Sequence, residues 1–404
     1  MLIIGKSNKE KFMRIVNFIL LLGLFISCQS PKDKAREEEK FRWNAGISAP
    51  KFYPSAPFVE FLYQGKSVAG ASTGAGNGWG ITSGGFTGGD VFKPVPDSVF
   101  VRWKCGVDHL LYKGGFRLPR KKMLLLFNKG TKDPYTGQNE EYSTLVAGTA
   151  PGGNVTIWMK SGSIITEIIR FKAKNKGVYN EGSKEQQKIM DELYKSKEFI
   201  NSETNVYQYF HGIPYKIWET GEKEYNYDIG FSTEEIDKQN IGMAITGYTK
   251  EGSLVYSTGD LQYIPWYGDY KFQDINLNKK LPVELFLQWI SHDQQDWYQA
   301  KIVLPNNLDK KLLAFQKQYG NQTLLVVGMD KVKSDNVNSS FGRVWFQSPK
   351  NKTEIMRFRA AKLNTKTREF LVSQYSIPKD FIFPKWEKGK EPLNTPDVDY
   401  WQEQ

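Results

Sequence analysis

The chain has 404 residues, of which 40% are hydrophobic and 25% are charged, and its formal net charge is +11. This length predicts two domains, and the composition excludes a mostly disordered chain. No block of five or six basic residues occurs, which argues against nucleic acid as a partner. The 21 Tyr, 25 Phe and 11 Trp residues favour β-rich structure.

The N-terminus has the pattern of a targeting segment. A basic start that includes Arg14 precedes an apolar run, 16–26, which is about half as long as a membrane-spanning helix. Residues 25–28 (FISC) then resemble the lipobox of bacterial lipoproteins, whose cysteine is acylated. We therefore predict a lipoprotein signal peptide over 1–27, with Met13 as an alternative start, and lipidation of Cys28.

The residues after this cysteine indicate the membrane to which the protein is targeted and a linker, or tether, to the folded part. Gln29 stands where Asp would favour the inner membrane, so the sequence predicts an outer-membrane lipoprotein held by its lipid anchor. Residues 28–40 are polar and charge-rich, and we expect them to be disordered. Residues 1–27 hold four basic residues and one acidic, which leaves the mature chain at about +8 (11 − 3). Cys105 is then the only remaining thiol, so the sequence predicts no internal disulfide.

Two stretches of the chain are degraded copies of each other. A gapped Pro-Phe-Trp-Tyr-Leu-Pro pattern over 96–119 recurs over 282–305, with every position shifted by 186 residues (282 − 96). A Trp followed by Thr-Glu-Ile-x-Arg-Phe recurs in the same way over 158–171 and 345–358. The retained pairs are Trp103 with Trp289, Trp158 with Trp345, Glu167 with Glu354, and Arg170 with Arg357. One structural unit therefore occurs twice.

The first repeat begins after the tether. Apolar and polar residues alternate over 99–103 and again over 112–118, as in two half-buried strands. A Leu-Pro step then leads into a short helix over 119–127, and Gly130 is its predicted stop. Further strands are predicted at 41–47, 58–63, 145–148, 155–159 and 164–172.

A different element separates the repeats. The spacing of Ser183 and Gln186 predicts a capping box at the start of a helix that continues to residue 201. The predicted apolar face of this helix consists of Ile189, Leu193 and Ile200. Together with 207–218, this helix should bridge the two repeats.

The second repeat follows the same order. Its predicted strands include 225–231, 242–248, 285–289 and 298–304, and its predicted helix is 309–319. A final strand at 370–375 precedes a tail without a pattern.

These elements predict an α+β, β-rich fold. It is a tandem duplication of a mostly antiparallel β unit of six or seven strands, with one short helix per repeat and a bridging helix. After the signal peptide and tether, the predicted boundaries are 41–178 for the first repeat, 179–223 for the bridge, 224–362 for the second repeat and 363–404 for the C-terminal strand and tail.

The residues that both repeats retain have a structural interpretation. The four repeated tryptophans fall on the apolar phase of strands, which favours a core position over a carbohydrate-stacking platform. Each repeated glutamate has an arginine three residues later in the same strand. This spacing favours an ion pair that supports the fold over a pair of catalytic carboxylates.

Several motifs resemble a known family. They include SAPKFYP at 48–54, YKGGFRLP at 112–119, APGG at 150–153 and GIPYKIW at 212–218. Across nearly the whole mature chain, the sequence is similar to the Bacteroidota-type lipoproteins known as domain of unknown function 2931. The resemblance implies an exported lipoprotein and supplies no established activity or catalytic residues. The second repeat lacks the Ala-Pro-Gly-Gly turn.

Motifs for catalysis are weak in this chain. Residues 70–74 fit the G-x-S-x-G nucleophile elbow around Ser72, but a glycine-rich stretch follows where the elbow needs a helix. A serine hydrolase is therefore a remote alternative. His109, His211 and His292 lie on different elements and lack the spacing of metal ligands. The sequence thus predicts no catalytic residue, metal or cofactor.

The repeats differ most in two segments. The first repeat has a glycine-rich segment at 69–90, and the second has an aromatic segment at 256–271. Loops carry function more often than strands do, so these segments are the predicted recognition surface. Its candidate residues are Trp79, Phe86, Tyr263, Trp266, Tyr267 and Tyr270.

The predicted function is non-enzymatic recognition of a partner in the cell envelope. One version is an immunity-type protein that neutralises a toxin at the membrane. The alternative is a carbohydrate-binding accessory lipoprotein, which the aromatic segment favours. The sequence leaves open whether the partner is a protein or a glycan.

Overall fold

A computed structural model describes residues 32, 35–36, 38–83, 89–133, 136–162, 164–179, 182–196, 199, 202–233, 243–257, 278–290, 297–329 and 339–362. The predicted signal peptide, the lipidation site Cys28, most of the aromatic segment and the C-terminal tail lie outside these residues. So do the candidate residues Phe86, Tyr263, Trp266, Tyr267, Tyr270 and His292.

The first repeat contains two main sheets, two small two-stranded sheets and one α-helix. Its elements are β1 (Lys40–Arg42), β2 (Asn44–Ser48), β3 (Ser55–Tyr63), β4 (Lys66–Ser72), β5 (Phe92–Pro94), β6 (Ser98–Cys105), β7 (Leu110–Arg117), α1 (Arg120–Lys129), β8 (Thr131–Lys132), β9 (Asn139–Glu140), β10 (Thr144–Ala150), β11 (Asn154–Lys160), β12 (Ile165–Lys172) and β13 (Lys174–Val178). The sheet orders are β12-β11-β10-β2 and β13-β7-β6-β3-β4. Only β2 and β10 pair in parallel within these sheets.

The second repeat follows three connecting helices. These helices are α2 (Lys184–Tyr194), α3 (Glu203–His211) and α4 (Tyr215–Thr220). The repeat itself comprises β14 (Glu224–Asn226), β15 (Asp228–Thr233), β16 (Met243–Thr249), β17 (Leu254–Ser257), β18 (Asn278–Lys280), β19 (Pro282–Ile290), β20 (Trp297–Val303), α5 (Leu308–Tyr319), β21 (Leu324–Met329), β22 (Ser339–Gln347) and β23 (Lys352–Lys362). Its main sheet has the order β15-β21-β22-β23-β20-β19-β16-β17.

The strand orders confirm the predicted duplication. If β12 and β13 are treated as one strand, the eight strands of the first repeat have the same order as those of the second. The parallel pair β15–β21 then corresponds to the parallel pair β2–β10. The registers also agree: Trp103 faces Tyr112, and Trp289 faces Tyr298 exactly 186 residues later. In each repeat a β-bulge precedes the second conserved tryptophan, Trp158 or Trp345. The described unit thus has eight main strands where the sequence predicted six or seven.

One turn explains why the first repeat has two main sheets and the second has one. The backbone N–H of Ala173 donates to the Gly153 carbonyl at 2.7 Å, which leaves the strand interrupted between β12 and β13. Gly153 has a φ of +83°, and a Cβ there would lie 2.6 Å from the Ala173 oxygen. The second repeat lacks this glycine turn, and β23 runs unbroken for 11 residues to join both halves into one sheet.

The connecting helices differ in part from the prediction. The capping box of Ser183 and Gln186 is present. The helix α2, however, ends at Tyr194, and its apolar residues Ile189 and Leu193 are 60% and 46% exposed. The prediction that this face bridges the repeats is therefore wrong. Helices α3 and α4 make the bridge, because their residues Tyr207 and Trp218 are buried between the repeats.

The retained residues have the structural roles that their positions indicated. Trp103, Trp158 and Trp345 are buried, whereas the side chain of Trp289 lies outside the described part. Glu167 and Arg170 form an ion pair at 2.5 Å, and Glu354 accepts from the Arg357 Nε at 2.8 Å. Both glutamates are paired in register with the tryptophan next to the bulge.

The remaining cysteine belongs to the core of the first repeat. Cys105 is 1% exposed, and burial raises the pKa of its thiol well above the usual value. Such a thiol is held in its unreactive, protonated form. Among the described residues, no helix has the length and apolar content required to span a membrane.

Candidate functional site

The two repeats are joined by a turn of the second repeat that inserts against the first. The turn connects β16 to β17, and the carbonyl of its Gly252 accepts N–H groups from Lys51 at 3.0 Å and Trp79 at 2.8 Å. Gly252 has a φ of +77°, and a Cβ there would lie 2.7 Å from Pro50. Only glycine therefore permits both the turn and this close approach.

Trp79 lies at the centre of this junction. Its side chain is 4% exposed and meets the Trp158 ring edge to face at a centroid distance of 4.9 Å. Gly148 leaves room for both rings, since a Cβ there would lie within 2.8 Å of each. The prediction that Trp79 belongs to an exposed recognition loop is therefore wrong. The glycines around it allow the segment to pack inward, so the ring is part of the core.

The connecting helices hold the inserted turn from the other side. The Trp218 indole N–H donates to the Glu251 carbonyl at 2.8 Å, and the Tyr207 hydroxyl donates to the Thr249 carbonyl at 3.2 Å. The Gln208 amide donates to the Phe52 carbonyl in the first repeat at 2.7 Å. These bonds, together with a shared buried aromatic cluster, fix both repeats as one body.

A cleft of about 310 Å³ opens beside this junction and is lined by both repeats. The first repeat supplies an apolar wall that includes Ile81, Trp158 and Ile165. The second supplies charged groups, among them Glu251 and Lys280. An apolar wall facing a few polar groups is the usual composition of a small-molecule site.

The charged end of the cleft contains a buried carboxylate. Glu251 is fully buried, and its Oε1 accepts from Lys280 Nζ and from the Ser253 hydroxyl at 2.7 Å. Its Oε2 has no hydrogen-bond partner among the described residues. A buried carboxylate oxygen without a donor is costly, so this atom is a polar defect at the junction of the repeats.

A second carboxylate lies next to the first. Burial, followed by the charge of Glu251, raises the pKa of Glu222 to about 7. The Glu222 oxygens also accept backbone N–H groups from Lys250 at 3.2 Å and Glu251 at 3.1 Å, which opposes the shift. A carboxylate with a strongly raised pKa near a cleft is a general indication of a functional site.

The described residues that were considered for catalysis do not lie together in one site. Ser72 is exposed at the end of β4, and residues 73–83 contain no helix, so the nucleophile-elbow geometry is missing there. His109 is exposed in a tight turn with a φ of 54°. His211 is buried, and its Nε2 lies 3.0 Å from Glu284 Oε2. No group of three potential metal ligands occurs in the described part of the chain.

The sequence did not indicate His211–Glu284 or the carboxylates of the cleft. Glu222, Glu251 and Lys280 are far apart in sequence and form no motif. The sequence signal that could have pointed to this site is a difference between the repeats. The turn with Gly252 in the second repeat takes the place of the exposed turn at Gly65 in the first. Its insertion depends on tertiary packing.

Residues 29–217 match the model of a family described as protein of unknown function (DUF2931). We therefore assign this span, which holds the first repeat and most of the connecting helices, to that family. The predicted resemblance to this family is confirmed over residues 29–217, whereas its predicted extension over nearly the whole mature chain is not matched. No curated protein and no solved structure matches the chain.

Proposed function

We propose that this chain is an exported, non-enzymatic lipoprotein that recognises a partner in the cell envelope. The observation that carries this proposal is the junction cleft, which both repeats line and which combines an apolar wall with charged side chains. The lipobox-like residues before Cys28 support an anchor in the outer membrane. An immunity-type role against a toxin is the version that fits a membrane-anchored recognition protein.

The chemistry of the cleft favours a small ligand with hydrogen-bond donors. The exposed carboxylate of Glu224, which lines the cleft, would accept hydrogen bonds from such a ligand. The aliphatic side chains of Ile81 and Ile165 would contact the apolar part of such a ligand. Carbohydrate binding is the alternative function, and it is favoured by the aromatic residues of the 256–271 segment.

The anchor can be tested by replacing the proposed acylation site. We expect Cys28→Ala to abolish incorporation of a labelled fatty acid and to move the protein from the membrane to the soluble fraction. Cys105→Ala is the matched control, because it removes the other cysteine of the chain and should leave labelling unchanged. An unlabelled wild-type protein would refute the proposed lipid anchor.

A further inference from the structure

The outer face of the β13-β7-β6-β3-β4 sheet is strongly basic. Exposed side chains alternate with core residues along its strands, and the exposed cations form what we call the basic sheet face. It consists of Arg102, Lys104, Lys113, Arg117 and Lys174. Glu60 is the acidic residue on the same side of β3, where it faces Phe100.

The cations of this face lie close together. Lys174 is opposite Lys113, and Lys113 is opposite Arg102, so three cations cross three neighbouring strands within about 10 Å. Like charges directly opposite each other destabilise a sheet. None of the five forms an ion pair within the described part of the chain. Arg102 and Lys113 instead lie over Phe58 and Phe100, at 5.6 and 5.3 Å from the ring centroids.

The second repeat provides an internal comparison for this face. Its registers place Gln288 and Gln299 at the positions of Arg102 and Lys113. The remaining equivalents of the basic residues are Ile290, Val303 and Ala361. The shared fold therefore does not require the charges, which are present only in the first repeat.

The equivalent face of the second repeat is covered from within the chain. Helix α3 lies on it, where Glu203 pairs with Lys301 at 3.2 Å and His211 contacts Glu284 at 3.0 Å. Lys301 and Glu284 correspond to Gly115 and Ser98 of the first repeat. This sheet surface thus accommodates a helix with an acidic residue.

We propose that the basic sheet face binds an acidic, helix-bearing segment of a protein partner. Charge complementarity favours an acidic segment, and the packing of α3 on the second repeat favours a helix. The half-buried rings of Phe58 and Phe100 supply an apolar contact at the centre of the face. This inference goes beyond the proposed function, because it places a partner contact on a sheet face away from the cleft.

The test exchanges residues between the repeats. In the full chain in neutral detergent, Arg102→Gln with Lys113→Gln installs the residues of the second repeat. We expect this variant to weaken binding of a fluorescent acidic peptide built of Ala and Glu by about tenfold at low salt. The matched control is Lys310→Gln with Lys311→Gln on α5, which removes the same charge from exposed positions and should change binding by less than about twofold.

The outcomes separate this proposal from its alternatives. The proposal would be overturned if both double variants weakened peptide binding equally, or if the wild type did not bind the peptide. Binding of phosphatidylglycerol vesicles through Arg102 and Lys113 without peptide binding would assign the face to the membrane instead. The melting temperature of the exchanged variant should be unchanged or higher, because like-charge repulsion is relieved. Peptide binding does not depend on acylation, so a failure at Cys28 leaves this result interpretable.

Discussion

Replacing Trp79 by Ala should lower the free energy of unfolding by about 3–5 kcal/mol. The ring is 4% exposed, packs against Trp158 and belongs to the aromatic cluster shared by the repeats and the connecting helices. Truncation would leave a cavity at the contact that joins the two repeats. Chemical denaturation followed by circular dichroism measures the loss.

Two further variants separate packing from polarity at this position. The Trp79 Nε1 is buried without a hydrogen-bond partner among the described residues, so Trp79→Phe should cost much less than Trp79→Ala. Leu125→Ala is the surface control, because Leu125 is 71% exposed, and should change stability by less than about 0.5 kcal/mol. A loss below about 1 kcal/mol for Trp79→Ala would contradict the central role of this ring.

Glu222→Gln should stabilise the protein more at pH 8 than at pH 5, by about 2 kcal/mol. The pKa of Glu222 is raised to about 7 in the folded protein by burial and by the nearby charge of Glu251. Between the ordinary carboxyl pKa and about 7, the folded state therefore holds a proton that the unfolded chain releases. Its stability falls as the pH rises through this window and levels off above it, whereas the glutamine variant lacks this loss.

The matched control for this titration is Glu224→Gln. Glu224 lies two residues away and is exposed, so Glu224→Gln removes the same charge from the surface and should not reproduce the effect of Glu222→Gln. Urea denaturation at several pH values gives the difference between each variant and the wild type. If the free energy of unfolding changes with pH in the same way for Glu222→Gln and the wild type, Glu222 stays ionised in the folded protein.

The duplication and most of its elements could be predicted from the sequence. Strands β6 and β7 and helix α1 followed from residue alternation, from Pro119 and from Gly130, because these signals act within a few residues. The ion pair of Glu167 and Arg170 followed for the same reason, since both residues lie on one strand three positions apart. Core tryptophans were predictable because gapped repeats preserve inward-facing positions.

Only the tertiary structure decided how the two repeats pack against each other and which of their surfaces the helices cover. The glycine-rich segment was interpreted as an exposed loop, but the inserted Gly252 turn and the ring of Trp158 bury Trp79. The outward face of α2 and the inward face of α3 were likewise undetermined, since amphipathicity does not specify which surface a helix meets.

The sequence by itself determined local periodicity, the duplication and the residues that each core retains. The proximity of the carboxylates Glu222 and Glu251, and the contrast between a covered sheet face and a basic one, depend on contacts between segments far apart in the chain. Those contacts form only when the connecting helices dock. The burial of these groups and the proximity of their charges are therefore properties of the assembled protein and not of any one segment.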